Sequence, residues 1–239
     1  MRKILPVLII VLIISASACS LGIGMIFGSG IIEERSLAVE NFSSVSTGFG
    51  MKITITEGTS YSVVLRSDDN IIDKIRYEIT GTTLRFYLDP LLSINTHKLE
   101  ADITMPLLDG VSLSGGAVGT VTMNTVPQTL TFVLSGGSRL HGLISAGTCS
   151  TDLSGGSTLT LSGSCGSLTA GASGGSGLNF RNFRTDSASV GLSGGSHMDL
   201  AVSGSLSADL SGGSRLTYYG NAVLGSMNIS GGSILRQSN

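Results

Sequence analysis

Apolar and polar residues alternate along much of the chain with the two-residue period of β-strands. In the first half, the alternating runs span residues 51–56, 61–65, 75–79, 83–88 and 101–105. A period of two places the apolar side chains on one face of each strand. Turn-forming residues separate the runs, among them Asp68-Asp69-Asn70 and Thr80-Gly81-Thr82. Only residues 71–74 resemble a helical turn. This pattern predicts a β-rich part with antiparallel strands and one solvated face.

The second half repeats a Ser-Gly-Gly motif every 18 to 21 residues, beginning at Ser114. The repeated glycines are Gly115, Gly116, Gly136, Gly137, Gly155, Gly156, Gly174, Gly175, Gly194, Gly195, Gly212, Gly213, Gly231 and Gly232. Apolar or small residues lie two and four positions before each pair, which indicates a strand with one inward face. Glycine tolerates positive φ and has no Cβ to clash with a neighbouring coil, so each motif is expected to turn a corner.

A single coil cannot bury its apolar face, but stacked coils can. We therefore predict an all-β fold, a β-solenoid (β-helix) of stacked coils of about 19 residues with an N-terminal β-rich segment. Serines at equivalent corners are expected to form ladders of hydroxyl groups. Hairpin turns in an antiparallel sheet also fit the spacing, although the constant phase of the motif favours the solenoid.

The N-terminus has the pattern of a secretory signal. Arg2 and Lys3 precede an apolar run over residues 4–14, and small residues then lead to Cys19. The small residues ending in a cysteine resemble a bacterial lipobox, which predicts lipidation of Cys19. Two alternatives remain open, a plain cleaved signal and an uncleaved membrane-spanning anchor, because residues 4–32 carry no charge. All three place the remaining chain outside the cytoplasmic membrane.

These boundaries divide the chain into four parts. Residues 1–19 form the signal and lipobox segment, and residues 20–32 form a tether. Residues 33–106 form the N-terminal β-rich part, and residues 107–239 form the Ser-Gly-Gly solenoid. The last two parts are expected to make one continuous domain.

Composition and charge narrow the classes of function. The net charge is −2 and only 13% of residues are charged, so the basic stripe that nucleic-acid binding requires is missing. The 34 glycines could indicate a disordered linker, but 41% of the residues are hydrophobic, more than a disordered chain carries. Cys149 and Cys165 lie in neighbouring repeats, and the sequence leaves open whether they pair or are small wall residues.

The sequence shows no catalytic residues, no metal ligands and no cofactor site. His97, His141 and His197 fall at non-equivalent places, which predicts surface histidines rather than a metal site. The many serines make any apparent Ser-His-Asp match uninformative, because triads are recognised by geometry.

Three sets of residues are candidates for a binding surface. Asp152, Asp209 and Asn228 share one phase of the repeat, and we interpret them as a solvated face rather than a calcium site. Arg139 and Arg215 share another phase, and solenoid faces often serve as extended binding surfaces. The nearby aromatic residues are Phe180, Phe183, Tyr218 and Tyr219. Among them, Tyr218 is expected to pack in the wall or cap.

From roughly Gly28 to its C-terminus, the chain resembles the bacterial DUF2807 family, the auto-transporter adhesin head GIN domain. The resemblance is carried by Gly28-Ser29-Gly30, by Val39-Glu40-Asn41-Phe42, by the repeats after Asp68-Asp69-Asn70, and by residues 216–222. The family usually has Gly-Ser-Gly-Asp after its strands, whereas Gly-Gly-Ser prevails here and the Asp is missing. The resemblance implies a surface β-helical domain, frequently a lipoprotein, with a role in adhesion.

The function expected from the sequence is that of a non-enzymatic protein of the cell envelope. Its partners would be the membrane, through the N-terminal anchor, and a surface ligand, either protein or glycan. Two alternatives stay open. One is a β-helix enzyme that cleaves polysaccharides, which would need two converging carboxylates; the other is an envelope-sensing accessory protein.

Overall fold

The computed structural model describes residues 25–124 and 128–238. The signal segment 1–19, with Cys19, lies outside these residues. Strands make up 65% of the structure and helix 2%, arranged as a β-solenoid of about seven turns. The solenoid prediction is confirmed. The hairpin alternative is wrong for the repeats, because successive coils pair in parallel.

The structure contains nineteen strands and one short helix within the described residues. They are β1 (Met25–Phe27), β2 (Ile32–Leu37), β3 (Ser44–Thr47), β4 (Lys52–Glu57), β5 (Ser62–Asp68), α1 (Asp69–Ile72), β6 (Arg76–Thr80), β7 (Thr83–Tyr87), β8 (Ser93–Asn95), β9 (Leu99–Met105), β10 (Gly110–Leu113), β11 (Val118–Thr122), β12 (Thr129–Leu134), β13 (Arg139–Leu153), β14 (Thr158–Ala172), β15 (Gly177–Leu192), β16 (His197–Leu210), β17 (Arg215–Tyr219), β18 (Val223–Ile229) and β19 (Ile234–Ser238).

The coils build two parallel sheets that meet at the Ser-Gly-Gly turns. Sheet A contains the segments that lead into these turns, namely β7, β3, β10 and β12, the second halves of β13 to β16, and β18. Sheet B contains the segments that leave them, namely β9, β4, β11, the first halves of β13 to β16, β17 and β19. The long strands β13 to β16 continue around the second corner of each coil.

The N-terminal part differs from the expected antiparallel sheet. β4 pairs in parallel with both β9 and β11, and β3 pairs in parallel with β7 and β10. Among residues 25–124 and 128–238, antiparallel pairing is limited to β2 with β5, β5 with β9, and β6 with β7. Period two marks a half-buried strand but not the direction of its partner, so the prediction of an antiparallel sheet was only partly right.

The inward faces of the two sheets form one continuous core. Apolar side chains stack in columns from coil to coil, such as Leu134, Leu153 and Leu192, and all of these are buried. Burial of this kind is the main favourable contribution to folding, at roughly 25 cal/mol per Å² of apolar surface. The core begins near the antiparallel strands, where Ile71 and Ile72 of α1 are also fully buried.

The Ser-Gly-Gly turns stack on one another through their backbones. The amide of Gly195 donates to the carbonyl of Gly212 in the next coil at 2.9 Å, and the amide of Gly175 donates likewise to Gly194. The serine after the glycines is buried at five corners, namely Ser138, Ser157, Ser176, Ser196 and Ser214. At three of them the hydroxyl closes its own turn, as where Ser176 Oγ donates to the Ser173 carbonyl at 2.8 Å. Only Ser214 and Ser233, among the described corners, join by a hydroxyl–hydroxyl bond. The expected hydroxyl ladder is therefore mostly a set of bonds from side chain to turn carbonyl.

The two ends of the column differ. Antiparallel strands cover the end formed by β7 and β9. The other end is formed by β18 and β19, where Leu224 is 46% exposed, although Leu206 at the same place one coil earlier is 0% exposed. Within the described residues, β18 pairs with β16 and β19 with β17, and no strand pairs with the outer edge of this last coil.

Candidate functional site

Asp152 and Asp209, the acidic residues that share a repeat phase, lie in one column on sheet A but are not in contact. Asp152 aligns with Gly171, then with Gly191, and finally with Asp209. Three coil spacings separate the two carboxylates, about 14 Å at roughly 4.8 Å per coil. Asn228 continues the column beyond Asp209. The column is solvated, as its alternation with buried residues predicts.

Arg139 and Arg215 lie in one column on sheet B, and this column also contains His197, which the sequence analysis did not group with them. Arg139, Thr158, Gly177, His197 and Arg215 align in consecutive coils. His197 follows its motif serine directly, as both arginines do, and this common position was the available signal. The imidazole covers the Cα of Gly177, where a Cβ would lie 2.7 Å from it. Thr158 and Gly177 separate Arg139 from the other two, so the column is not a continuous basic patch.

The two cysteines are small wall residues in this structure. Both are free and buried. Burial raises the pKa of the Cys149 thiol to about 12 and that of Cys165 to about 11. Neither thiol is therefore ionised at neutral pH, and the thiolate is the reactive form.

The aromatic residues near the second corner divide into core and surface. Phe180 and Phe183 are fully buried and pack edge to face, with ring centroids 5.5 Å apart. Tyr218 is also buried and packs in the wall, as expected. Tyr219 alone of the four is half-buried and faces outward.

Tyr219 lines a cavity at the second corner, which we call the notch. The notch has a volume of about 350 Å³, and its lining includes Arg184, Asp186, Ala201 and Tyr219. Arg184, Ala201 and Tyr219 are register partners in three successive coils. The small side chain of Ala201 thus lies between two long ones, and the gap above it forms the notch.

Unequal coil lengths explain why the notch occurs at this corner. Consecutive motifs begin at Ser173, Ser193 and Ser211, so a coil of 20 residues is followed by one of 18. The register between β15 and β16 consequently jumps from the pair Phe180–Leu200 to the pair Arg184–Ala201. Residues 181–183 have no partner in the next coil and form a bulge, in which Arg181 and Asn182 are exposed while Phe183 stays buried.

Two arginines lie at the notch. The bulge carries Arg181, whose guanidinium lies 4.6 Å from the centroid of the Tyr219 ring. Arg184 lies on the rim, and both arginines are exposed. Within the part of the chain that the structure describes, neither guanidinium forms an ion pair with a carboxylate. A cation stacked on an aromatic face is held in place while its N–H donors stay free.

A second cluster fixes the point where the tether joins the column. We call it the junction; it consists of Gly28-Ser29-Gly30 and Asp68-Asp69-Asn70. The buried Asp68 carboxylate accepts hydrogen bonds from the Gly30 amide at 2.6 Å and from the His97 amide at 3.0 Å. Asn70 accepts from the Ser29 amide at 3.1 Å and donates to the Phe27 carbonyl at 2.9 Å.

The environment of Asp68 favours its ionised form. The hydroxyl of Thr96 also donates to this carboxylate, and His97 Nδ1 lies 3.3 Å from it. These donors, with Thr96 the largest effect, lower the pKa of Asp68 to about 2 in spite of its burial. A Cβ at Gly28 would lie 2.3 Å from the carboxylate. The two polar motifs noticed separately in the sequence therefore bind each other.

The described residues contain no group of three or more His, Cys, Asp and Glu side chains arranged to hold a metal ion. His141 and His197 face outward in separate columns of sheet B. His97 lies apart from both, at the junction, where it contacts Asp68. No helix in residues 25–124 and 128–238 has the length and apolar character to span a bilayer.

Comparison with known proteins identifies relatives by sequence and by fold. The model of the DUF2807 family, described as "Putative auto-transporter adhesin, head GIN domain", matches residues 41–222. No curated protein matches the sequence significantly.

Solved structures share the architecture. A putative adhesin from Bacteroides fragilis is 19% identical with a TM-score of 0.84, covering 89% of this chain and 100% of its own. A putative adhesin from Parabacteroides merdae is 12% identical with a TM-score of 0.77, covering 90% and 99%. A protein from Parabacteroides distasonis described as a putative lipid binding protein is 12% identical with a TM-score of 0.64, covering 90% and 100%. At these identities the likeness shows the fold alone.

Proposed function

Because the chain belongs to the DUF2807 family of adhesin-like head domains, we propose that it is a non-enzymatic surface protein of the bacterial envelope. In this proposal the N-terminal segment anchors it to the membrane through lipidated Cys19, and the solenoid binds a protein or glycan ligand. The family description supports a location at the cell surface. The lipid anchor and the binding of a ligand are the parts of this function that we propose.

The junction is the observation that carries this proposal. It ties the tether to the end of the column that the antiparallel strands cover. A chain anchored before residue 25 would therefore hold the covered end toward the membrane. The coils would project away from it, with the notch and the outward columns accessible to ligands.

The arrangement of carboxylates favours binding over polysaccharide cleavage. Glycosidases place two carboxyl groups about 5 to 9.5 Å apart across the scissile bond. Asp152 and Asp209 are about 14 Å apart by coil spacing, with Gly171 and Gly191 between them. This pair cannot act together on one glycosidic bond.

The anchor is tested with the full chain and its Cys19→Ser variant expressed in a bacterial host. Labelled palmitate is followed into the protein, the membrane and soluble fractions are compared, and retention of the cells on glycan-coated and protein-coated surfaces is measured. We expect the wild type to carry the label, to stay with the membrane and to increase retention. Cys19→Ser is expected to lose all three properties.

The outcome distinguishes the anchors that the sequence leaves open. If Cys19→Ser stays with the membrane, residues 4–32 act as an uncleaved anchor and the lipid is not required. If the wild type is membrane-bound and surface-accessible but retention does not change on any surface, the binding half of the proposal is wrong.

A further inference from the structure

We propose that the notch binds an acidic sugar residue, such as a hexuronate unit of a polysaccharide. This inference rests on the proposed binding function, because it names a ligand class and a site for it. It depends on Arg181, Arg184, Asp186, Ala201 and Tyr219, which one corner of the solenoid brings together.

The first requirement for the ligand is a negative charge. Arg181 and Arg184 place two exposed guanidinium groups at the notch, and neither pairs with a carboxylate among the described residues. Guanidinium groups bind planar carboxylates through paired N–H donors. Stacking on Tyr219 at 4.6 Å restricts Arg181, so less side-chain entropy would be lost when it binds an anion.

The second requirement is a hydroxyl group near that charge. Asp186 lines the same cavity and is exposed. Its carboxylate would repel a ligand of high negative charge, such as a phosphate ester, but would accept hydrogen bonds from hydroxyl groups. A singly charged ligand that also carries hydroxyls satisfies both the arginines and Asp186.

The third requirement is an apolar face of limited size. Ala201 and Val202 form the floor, and the half-buried Tyr219 forms one wall. Arg184 and Tyr219 lie two coil spacings apart, about 10 Å between their backbones. The C–H face of a sugar ring can rest on such a floor while its carboxylate and hydroxyls reach the rim. A cavity of about 350 Å³ lies at the small end of ligand pockets.

The test uses the full chain in nanodiscs of neutral lipid. Fluorescent tetragalacturonate is the acidic probe and maltotetraose the neutral one, and binding is followed by fluorescence anisotropy. We expect the acidic probe to bind at least about tenfold more tightly, because the neutral sugar leaves the arginines without an anion. Arg184→Gln is expected to weaken its binding at least about fivefold.

Matched variants separate the notch from general surface charge. Arg215→Gln removes another exposed arginine, from the same strand as Tyr219 and about 13 Å away along it, and should leave affinity unchanged. Tyr219→Phe should retain binding, whereas Tyr219→Ala, which removes the ring under Arg181, should weaken it. Each variant is first checked for an unchanged melting temperature.

Several results would overturn the inference. They are equal affinity for the two probes, wild-type affinity in Arg184→Gln, and an equal loss in Arg215→Gln. Displacement of tetragalacturonate by octanoate, but not by glucuronate, would assign the notch to a fatty acid instead. Absence of binding in a chain whose cells still show Cys19-dependent retention would reject the notch and leave the proposed function standing.

Discussion

The two glycines of each turn have different structural roles, although the motif makes them look alike. Gly194 and Gly195 have φ values of 60° and 76°. A Cβ at Gly194 would lie 3.0 Å from the backbone nitrogen of Gly174, whereas a Cβ at Gly195 would contact nothing within 4 Å. Close stacking therefore requires the first glycine, and the backbone conformation alone requires the second.

This difference predicts unequal effects of alanine at the two positions. Gly195→Ala should lower the free energy of unfolding by about 1–2 kcal/mol, the cost of the left-handed conformation. Gly194→Ala should lower it further, because the backbones of two coils must also separate. Gly195→Asn is the control and should be milder than Gly195→Ala, since asparagine tolerates this conformation. Urea unfolding measures all three, and equal losses for both alanine variants would contradict the stacking argument.

One inward position of sheet A carries a hydroxyl that has no partner. Thr151 is buried, and its Oγ1 makes no hydrogen bond to any of the residues that the structure describes. Thr151→Val keeps the shape and removes the unsatisfied group, so it should raise the free energy of unfolding by about 1 kcal/mol. Thr185→Val is the matched control, because the buried Thr185 hydroxyl donates to the Phe183 carbonyl at 3.4 Å. A gain in thermal stability from Thr185→Val as large as that from Thr151→Val would refute this explanation.

At the scale of elements, the sequence predicted the features that recur in every coil and missed those that depend on pairing between segments distant in the chain. The phase of the Ser-Gly-Gly motif identified the corners, and period two identified the inward faces. The placement of β4 between β9 and β11 was not predictable in this way, because it follows from pairing between segments distant in the chain. The notch was hidden for a related reason. The motif spacing shows that coils of 20 and 18 residues adjoin, but only the register shows that residues 181–183 form the bulge.

The junction between tether and column predicts a dependence of stability on acid. The pKa of Asp68 is about 2 in the folded chain and about 3.9 in an unfolded one. Because the folded pKa is the lower of the two, Asp68 contributes its full stabilisation above about pH 4–5. The contribution is lost as the pH falls toward 2.

Asp68→Asn should therefore have a lower melting temperature than the wild type at pH 6, since an amide cannot accept all the bonds from Gly30, Thr96 and His97. The difference should shrink as the pH approaches 2. Asp209→Asn alters an exposed carboxylate and serves as the control, with a pH profile like that of the wild type. A constant difference between Asp68→Asn and the wild type from pH 6 to pH 2 would show that Asp68 is not the group that titrates.

At the scale of the whole molecule, each coil is stabilised mainly by its two neighbours. A coil in the middle of the column has apolar contacts on both sides, whereas the coil of β18 and β19 has a neighbouring coil on one side only within the part of the chain that the structure describes. Leu206 and Leu224 are register partners in successive coils and are 0% and 46% exposed. The two positions carry the same side chain at the same place in the coil, and they differ only in their distance from the end of the column.

Leu206→Ala should lower the free energy of unfolding by about 2–5 kcal/mol, because it leaves a cavity between coils. Leu224→Ala should lower it by less than about 1 kcal/mol, since water already reaches much of that side chain. Chemical denaturation of the full chain at low protein concentration measures both changes. Equal losses would mean that the last coil is covered in solution. Repeating the measurement over a range of protein concentrations would then show whether another copy of the chain covers it, because only such a contact makes the cost of Leu224→Ala depend on concentration.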